Sequence, residues 1–159
     1  MSLQLLPCDA QARPLAKAGT PWTGYLSLAD GRLVGGGGFA AAPRDGEVEI
    51  GYFTLPGWQR RGHGRRTAAA LLAIARKTDS RLTVIAHTAR STTDEADDSA
   101  SARILRSLGF GGALAMQDAE AGPVWRWTAP PDGAPDHEQE DALGHALHAH
   151  LPNRPGHRA

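Results

Sequence analysis

The apolar positions of the chain change their period along its length. Leu3 to Pro7 is a short apolar run suited to an edge strand, and Asp9 is placed to cap a helix over Ala10 to Ala18, which Pro14 shortens and Gly19 ends. Trp22 to Ala29 reads as a strand, Asp30-Gly31 as a two-residue hairpin turn, and Arg32 to Ala42 as the returning strand. Four consecutive glycines, Gly35 to Gly38, lie inside that second strand, where glycine marks a bulge or the close approach of another backbone or a ligand. After the turn Pro43-Arg44-Asp45-Gly46, the segment Glu47 to Leu55 alternates. Glu47, Glu49, Gly51 and Phe53 fall on one face, and Val48, Ile50, Tyr52 and Thr54 on the other.

Pro56-Gly57 breaks this meander, and the period lengthens to that of a helix from Arg65 to Thr78, with Ala68, Leu71, Leu72 and Ala75 on one stripe. Arg81 to His87 is a β-branched strand of buried type, and the acidic stretch 91–98 suits a loop. Ser99 to Leu108 reads as a second helix with Ile104, Leu105 and Leu108 inward and Gly109 as its stop. Gly112 to Ala119 and Val124 to Thr128 form a last hairpin. Strands, helix, strand, helix and strands in that order predict an α/β three-layer fold on one mixed sheet.

Composition narrows the function classes. A chain of 159 residues supports one core, and 41% hydrophobic content is that of a soluble globule. Lysines and arginines number 17, as do aspartates and glutamates, so a general electrostatic nucleic-acid binder is disfavoured. Cys8 is the lone cysteine, which excludes an intrachain disulfide and a cysteine-based zinc framework and is expected to be at least partly buried. No apolar stretch approaches the roughly 20 residues of a membrane span, and the N-terminus lacks signal-peptide character, so a cytoplasmic location is expected. From Ala129 the composition changes to a Pro/Gly-rich linker and a tail holding five of the seven histidines. The expected organisation is a domain over 1–128 followed by a solvated tail over 129–159. His145, His148 and His150 suggest a metal, yet the helical face shared by the first two lacks an obvious carboxylate or thiol to complete a site, and none is expected.

The positive charge concentrates in one place, Gly57-Trp58-Gln59-Arg60-Arg61-Gly62-His63-Gly64-Arg65-Arg66, between a strand and a helix. The first amides of a helix lack internal partners and sit at the positive end of its dipole, so a phosphate fits there. Gly62 and Gly64 remove side chains that would block approach, and Arg60, Arg61, Arg65 and Arg66 add charge-assisted donors. The stretch lacks the Lys-Ser/Thr ending of a P-loop and fails the dinucleotide G-x-G-x-x-G pattern at its last position. It does present Gln-x-x-Gly-x-Gly from Gln59 to Gly64.

That arrangement resembles motif A of the GCN5-related N-acetyltransferases, whose Gln/Arg-x-x-Gly-x-Gly/Ala turn receives the pyrophosphate of acetyl-coenzyme A. Flanking stretches, "RLVGGGGF", "GEVEIGYFTLPGWQRRGHG", "LTVIAHT" and "ASARILRSLGF", are similar in order to the subgroup of ribosomal-protein alanine acetyltransferases. The resemblance covers most of residues 1–128. It implies a mixed, mostly antiparallel sheet whose strand before the turn splays from its neighbour, exposing backbone around Phe53, Thr54 and Leu55 to the pantetheine arm. Amides from Arg61 through Arg66, including His63, would hold the phosphates, with Thr67 as a candidate hydroxyl donor.

The implied chemistry is direct attack of a neutral amine on the thioester in a ternary complex. A lysine-type amine of pKa about 10.4 needs a base at pH 7 more than an α-amine near 8 does. Glu49 matches an active-site glutamate of "EIGY"-type members, with Glu47 as the alternate. The tyrosine acid of many members is matched here by Leu105, and Ser101, which resembles the serine of an Asn-x-Ala-Ser motif, is the candidate to assist the thiolate. Asp98 stands where that motif has asparagine. Only about residues 9–21 are available where the family places two helices over the acceptor, so an open acceptor side is implied, completed by another subunit or by the tail. Family members are often dimers. The alternative reading is a non-catalytic acyl-CoA-binding or regulatory module of the same fold.

Overall fold

The computed structural model describes residues 2–8, 20–90 and 99–132. The expected helix over 10–18, the loop 91–98 with Asp98, and the histidine-rich tail lie outside these residues. Strand β1 (Leu3–Pro7) is an edge strand paired antiparallel with β2 (Gly24–Ala29). The Asp30-Gly31 turn then carries φ of 48° and 78°, the positive pair required by a tight hairpin, and leads into β3 (Arg32–Phe39). Strand β4 (Glu47–Thr54) follows, antiparallel to β3.

Helix α1 (His63–Thr78) crosses to β5 (Thr83–Ala89), which runs parallel to β4. Helix α2 (Ala100–Ser107) and the hairpin of β6 (Gly111–Asp118) and β7 (Gly122–Thr128) complete a seven-stranded mixed sheet in the order β1-β2-β3-β4-β5-β7-β6. The β4–β5 pairing is the parallel one in a sheet that is otherwise antiparallel.

Both helices lie on one face. Leu71 and Leu72 of α1 and Ala102 and Leu105 of α2 close a core with Val48, Ile50, Val84, Ala86 and Trp127, so the alternation read along Glu47 to Thr54 does put Val48 and Ile50 inward. Burial of the valine, leucine and isoleucine side chains among them contributes about 1.5–3 kcal/mol each. The β3 glycines let this layer close: a Cβ on Gly37 would stand 3.0 Å from Leu71 Cδ1, and one on Gly36 would meet the Phe53 ring at 3.0 Å on the other face.

Several boundaries differ from the sequence reading for local reasons. Helix α1 starts at His63 rather than Arg65, with Gly62 at φ 80° in the position just before it and offering no side-chain cap. Strand β5 starts at Thr83 rather than Arg81 because Asp79 accepts from the Arg81 amide and guanidinium at 3.0 Å and folds that residue into a turn. Trp22 packs edge-on against Phe39 at 5.0 Å instead of opening β2. Cys8, expected to be at least partly buried, is exposed, because it follows the edge strand. No helix among the described residues is long and apolar enough to cross a membrane.

Candidate active site

The pairing of β4 with β5 runs from Glu47 opposite Thr83 to Ile50 opposite Ala86 and stops there. Beyond it, β4 continues to Thr54 and β5 to Ala89 without pairing to each other, which is the splay expected of the strand before the turn. On the helix side, beside the unpaired end of β4, lies a cleft of about 510 Å³ between the end of β4, the start of α1 and the start of α2. Tyr52 and Thr54 form one wall and Ser101 and Ile104 another. Ile104, read as an inward residue of the second helix, therefore faces the cleft.

The α1 N-terminus forms the floor. Gly62 makes no side-chain cap, there is no acidic residue in the first turn, and the first intrahelical bond runs from the Arg66 amide to the Gly62 carbonyl at 3.1 Å. The amides ahead of Arg66 are thus the unpartnered positive end of the helix. Gln59, Arg60, Gly62, His63, Gly64 and Arg65 line the cleft.

His63 is buried, its Nδ1 stands 3.1 Å from Arg66 Nη2, and its Nε2 has no hydrogen-bond partner among the described residues. Burial holds its imidazole below the ordinary histidine pKa, Arg66 and Arg61 push the same way, and Asp30 opposes them. Trp58 stacks edge-on with it at 6.0 Å, and the Arg61 guanidinium lies 5.2 Å from the Trp58 ring.

A family model for the acetyltransferase (GNAT) domain matches residues 8–111. The chain belongs to that family. Among curated proteins none matches it. Among solved structures, this GNAT chain is similar to the ribosomal L7/L12 alpha-N-protein acetyltransferase RimL in complex with coenzyme A, at 19% identity and TM-score 0.57 over 70% of this chain and 63% of that one. A ribosomal-protein-S18-alanine N-acetyltransferase from Escherichia coli matches at 17% identity and TM-score 0.54 over 75% of both chains. The putative acetyltransferase yncA from Salmonella typhimurium, solved with acetyl-CoA, matches at 24% identity and TM-score 0.54, covering 72% of this chain and 69% of its own. The chain spans less than two thirds of the length of RimL, and at these identities the likeness establishes the fold.

An acyl-CoA pyrophosphate fits what the GNAT turn presents: an uncapped helix end, two glycines and a buried imidazole nitrogen with no partner. The arginines divide the work differently from the sequence reading. Arg66 turns inward, donating through Nη2 to the Arg61 carbonyl at 2.9 Å, so it braces the turn instead of pointing at a ligand. The Arg65 side chain bonds Ser107 Oγ at 3.1 Å and ties α1 to α2. Thr67 is a correction: its hydroxyl is buried, donating to the His63 carbonyl at 2.9 Å and pairing with Ser27 Oγ at 2.8 Å, because it sits one turn in on the sheet-facing side. Leu55 is another, since its amide donates to the Val34 carbonyl at 2.8 Å and is committed to β3.

On the opposite face of the sheet, Phe53 is 56% exposed over Gly36. There Glu49 lies 2.8 Å from His87 Nδ1, and Glu47 pairs with Arg126. The sequence reading missed His87, whose partner is 38 residues away. It also missed Tyr52 and Trp58. The Tyr52 hydroxyl donates to the Ser101 carbonyl at 3.2 Å across the cleft, and burial pushes its phenol above the ordinary tyrosine pKa. A large aromatic at the unpaired end of a strand was the available signal for it.

Proposed function

We propose that the chain is an acetyl-CoA-dependent N-acetyltransferase that transfers an acetyl group to a primary amine, on a protein N-terminus or a small molecule, within a ternary complex. The observation that carries the reading is the uncapped α1 N-terminus opening on a cleft that begins where β4–β5 pairing ends. The amides of residues 61–65 hold the pyrophosphate, that of Arg66 being committed to the Gly62 carbonyl, and the unpaired edge of β4 near Phe53 and Thr54 receives the pantetheine arm as an added strand and polarises the thioester carbonyl. Glu49 is the carboxylate that promotes loss of the amine proton, directly or through a neighbouring group, and Ser101, at the cleft wall, assists the departing thiolate. A thiolate of pKa near 8.5 needs modest help, which suits a site where Leu105 is buried in the core at the place matched to a tyrosine acid.

Calorimetric titration with acetyl-CoA, 3′-dephospho-CoA and a free adenine nucleotide tests the reading. Binding that requires the pantetheine arm is expected, and no binding would reduce the turn to a connection. The buried Leu105 favours a second reading, a non-catalytic acyl-CoA-binding module. Turnover of a panel of amines with the same protein separates the two. A homodimer is proposed on the same terms, supported by Leu114 and Met116 exposed on edge strand β6, and sedimentation equilibrium tests it.

A further inference from the structure

Resting on the acetyltransferase reading, we infer that His87 is the group that takes the proton from the attacking amine, with Glu49 as the residue that positions it. Three observations converge. His87 is the first residue of β5 after its last pair with β4, so it sits at the crotch of the splay. Its Nδ1 lies 2.8 Å from the Glu49 carboxylate. Its side chain keeps 20% of its surface accessible on the face away from the helices, so an amine can reach it from the side opposite the cleft.

The donor roles follow from chemistry. An ionised carboxylate only accepts, so Nδ1 carries the hydrogen and Nε2 keeps its lone pair. A carboxylate that fixes the tautomer of a neighbouring imidazole and stabilises its protonated form is the arrangement that makes histidine a base. The other charged groups facing His87 do not compete for that role. Arg126 on β7 stands opposite it in register and is bonded to Glu47 of β4, and Asp118 of β6 is held by the amides of Glu120 and Ala121.

In the step itself the amine nitrogen forms a bond to the acetyl carbonyl carbon and the carbon–sulfur bond breaks. The sulfur leaves with the bonding pair, and the proton lost by nitrogen resides on His87 Nε2 before release to solvent or to the thiolate. The reaction balances as amine plus acetyl-CoA giving amide, CoA thiolate and a proton.

The test is the pH dependence of kcat/KM for wild type, His87→Gln and Glu49→Gln, alongside calorimetry with acetyl-CoA. The expected result is that His87→Gln loses on the order of 100-fold or more in kcat together with the acid limb of the profile. Glu49→Gln, whose amide oxygen still accepts from Nδ1, should lose about tenfold and keep that limb. Should His87→Gln fold poorly, imidazole added to His87→Ala is expected to restore turnover. The inference is overturned if the limb persists in His87→Gln and vanishes in Glu49→Gln, or if both variants turn over like wild type. Wild type that fails to bind acetyl-CoA in the calorimeter would overturn the acetyltransferase reading itself, and this inference with it.

Discussion

Arg66 bonds the carbonyl of Arg61, five residues earlier, at 2.9 Å, and so turns its charge back into its own turn. Replacing Arg66 by alanine should lower stability by about 1–2 kcal/mol through the lost charge-assisted bond and weaken acetyl-CoA binding because the turn loosens. Lysine, whose nitrogen ends one bond short of the Nη2 that contacts both the Arg61 carbonyl and His63 Nδ1, should behave much like alanine. A direct phosphate contact would instead let lysine retain most of the affinity. Thermal melts and titration calorimetry on the two variants distinguish these outcomes.

The two glycines of the turn should fail in different ways. Gly62 holds φ at 80°, so Gly62→Ala should cost about 1–2 kcal/mol in strain and weaken binding as well. Gly64 carries no such strain, but a Cβ there would stand 3.0 Å from Ile104 Cδ1 and 3.2 Å from Thr54 Oγ1, both in the cleft wall. Gly64→Ala should therefore cut acetyl-CoA affinity at least tenfold with a small change in melting temperature. Equal melting losses in both variants would contradict this account.

Leu105 is a core residue at 1% exposure. Leu105→Ala should destabilise by about 2–5 kcal/mol. Leu105→Tyr, which restores the side chain of many family members, should overpack the core and destabilise the protein without raising kcat. A faster Leu105→Tyr enzyme would show that the phenol reaches the thiolate after all.

His63 sets an acid limit on stability. Its folded pKa lies below the ordinary value near 6.5, so the unfolded chain binds the proton more readily than the folded one. The penalty is absent above about pH 6.5 and grows as pH falls from there toward the folded pKa. Melting temperature should therefore fall on acidification below pH 6.5, and His63→Gln, which does not titrate, should show a shallower decline over that window. Parallel declines in the two proteins would exclude His63 as a source of the acid sensitivity.

What the sequence disclosed was whatever depends on near neighbours. The Asp30-Gly31 hairpin, the alternation of Val48 and Ile50 against Glu47 and Glu49, and the stripe of Ala68, Leu71, Leu72 and Ala75 are local patterns, and each appears in the fold where it was read. The turn from Gln59 to Gly64 was legible as a strand-to-helix connection, since its glycines stand just ahead of the helical stripe. The pairing of Glu49 with His87 was not, since it requires the parallel register of β4 on β5 across an intervening helix. Nor was the division among the arginines: composition counts charges, whereas Arg66 differs from Arg65 by the direction its side chain leaves the helix. Thr67 was misread for the same reason, its hydroxyl being claimed by Ser27, forty residues away in sequence.

The four glycines of β3 act by what they leave out. Phe53 lies over Gly36 from one side and Leu71 reaches Gly37 from the other, so both layers rest directly on main chain. The strand serves as a spacer of fixed, minimal thickness, and the height of α1 above the sheet, with the cleft at its end, is set by that thickness. A Cβ at Gly37 would meet the Gly51 carbonyl at 2.5 Å before it met Leu71, and one at Gly36 the Tyr25 carbonyl at 2.8 Å before the Phe53 ring, so either would push a neighbouring strand as well as the layer above it. A methyl group placed in the middle of the sheet would thus be felt as a change in the dimensions of a binding site it never touches.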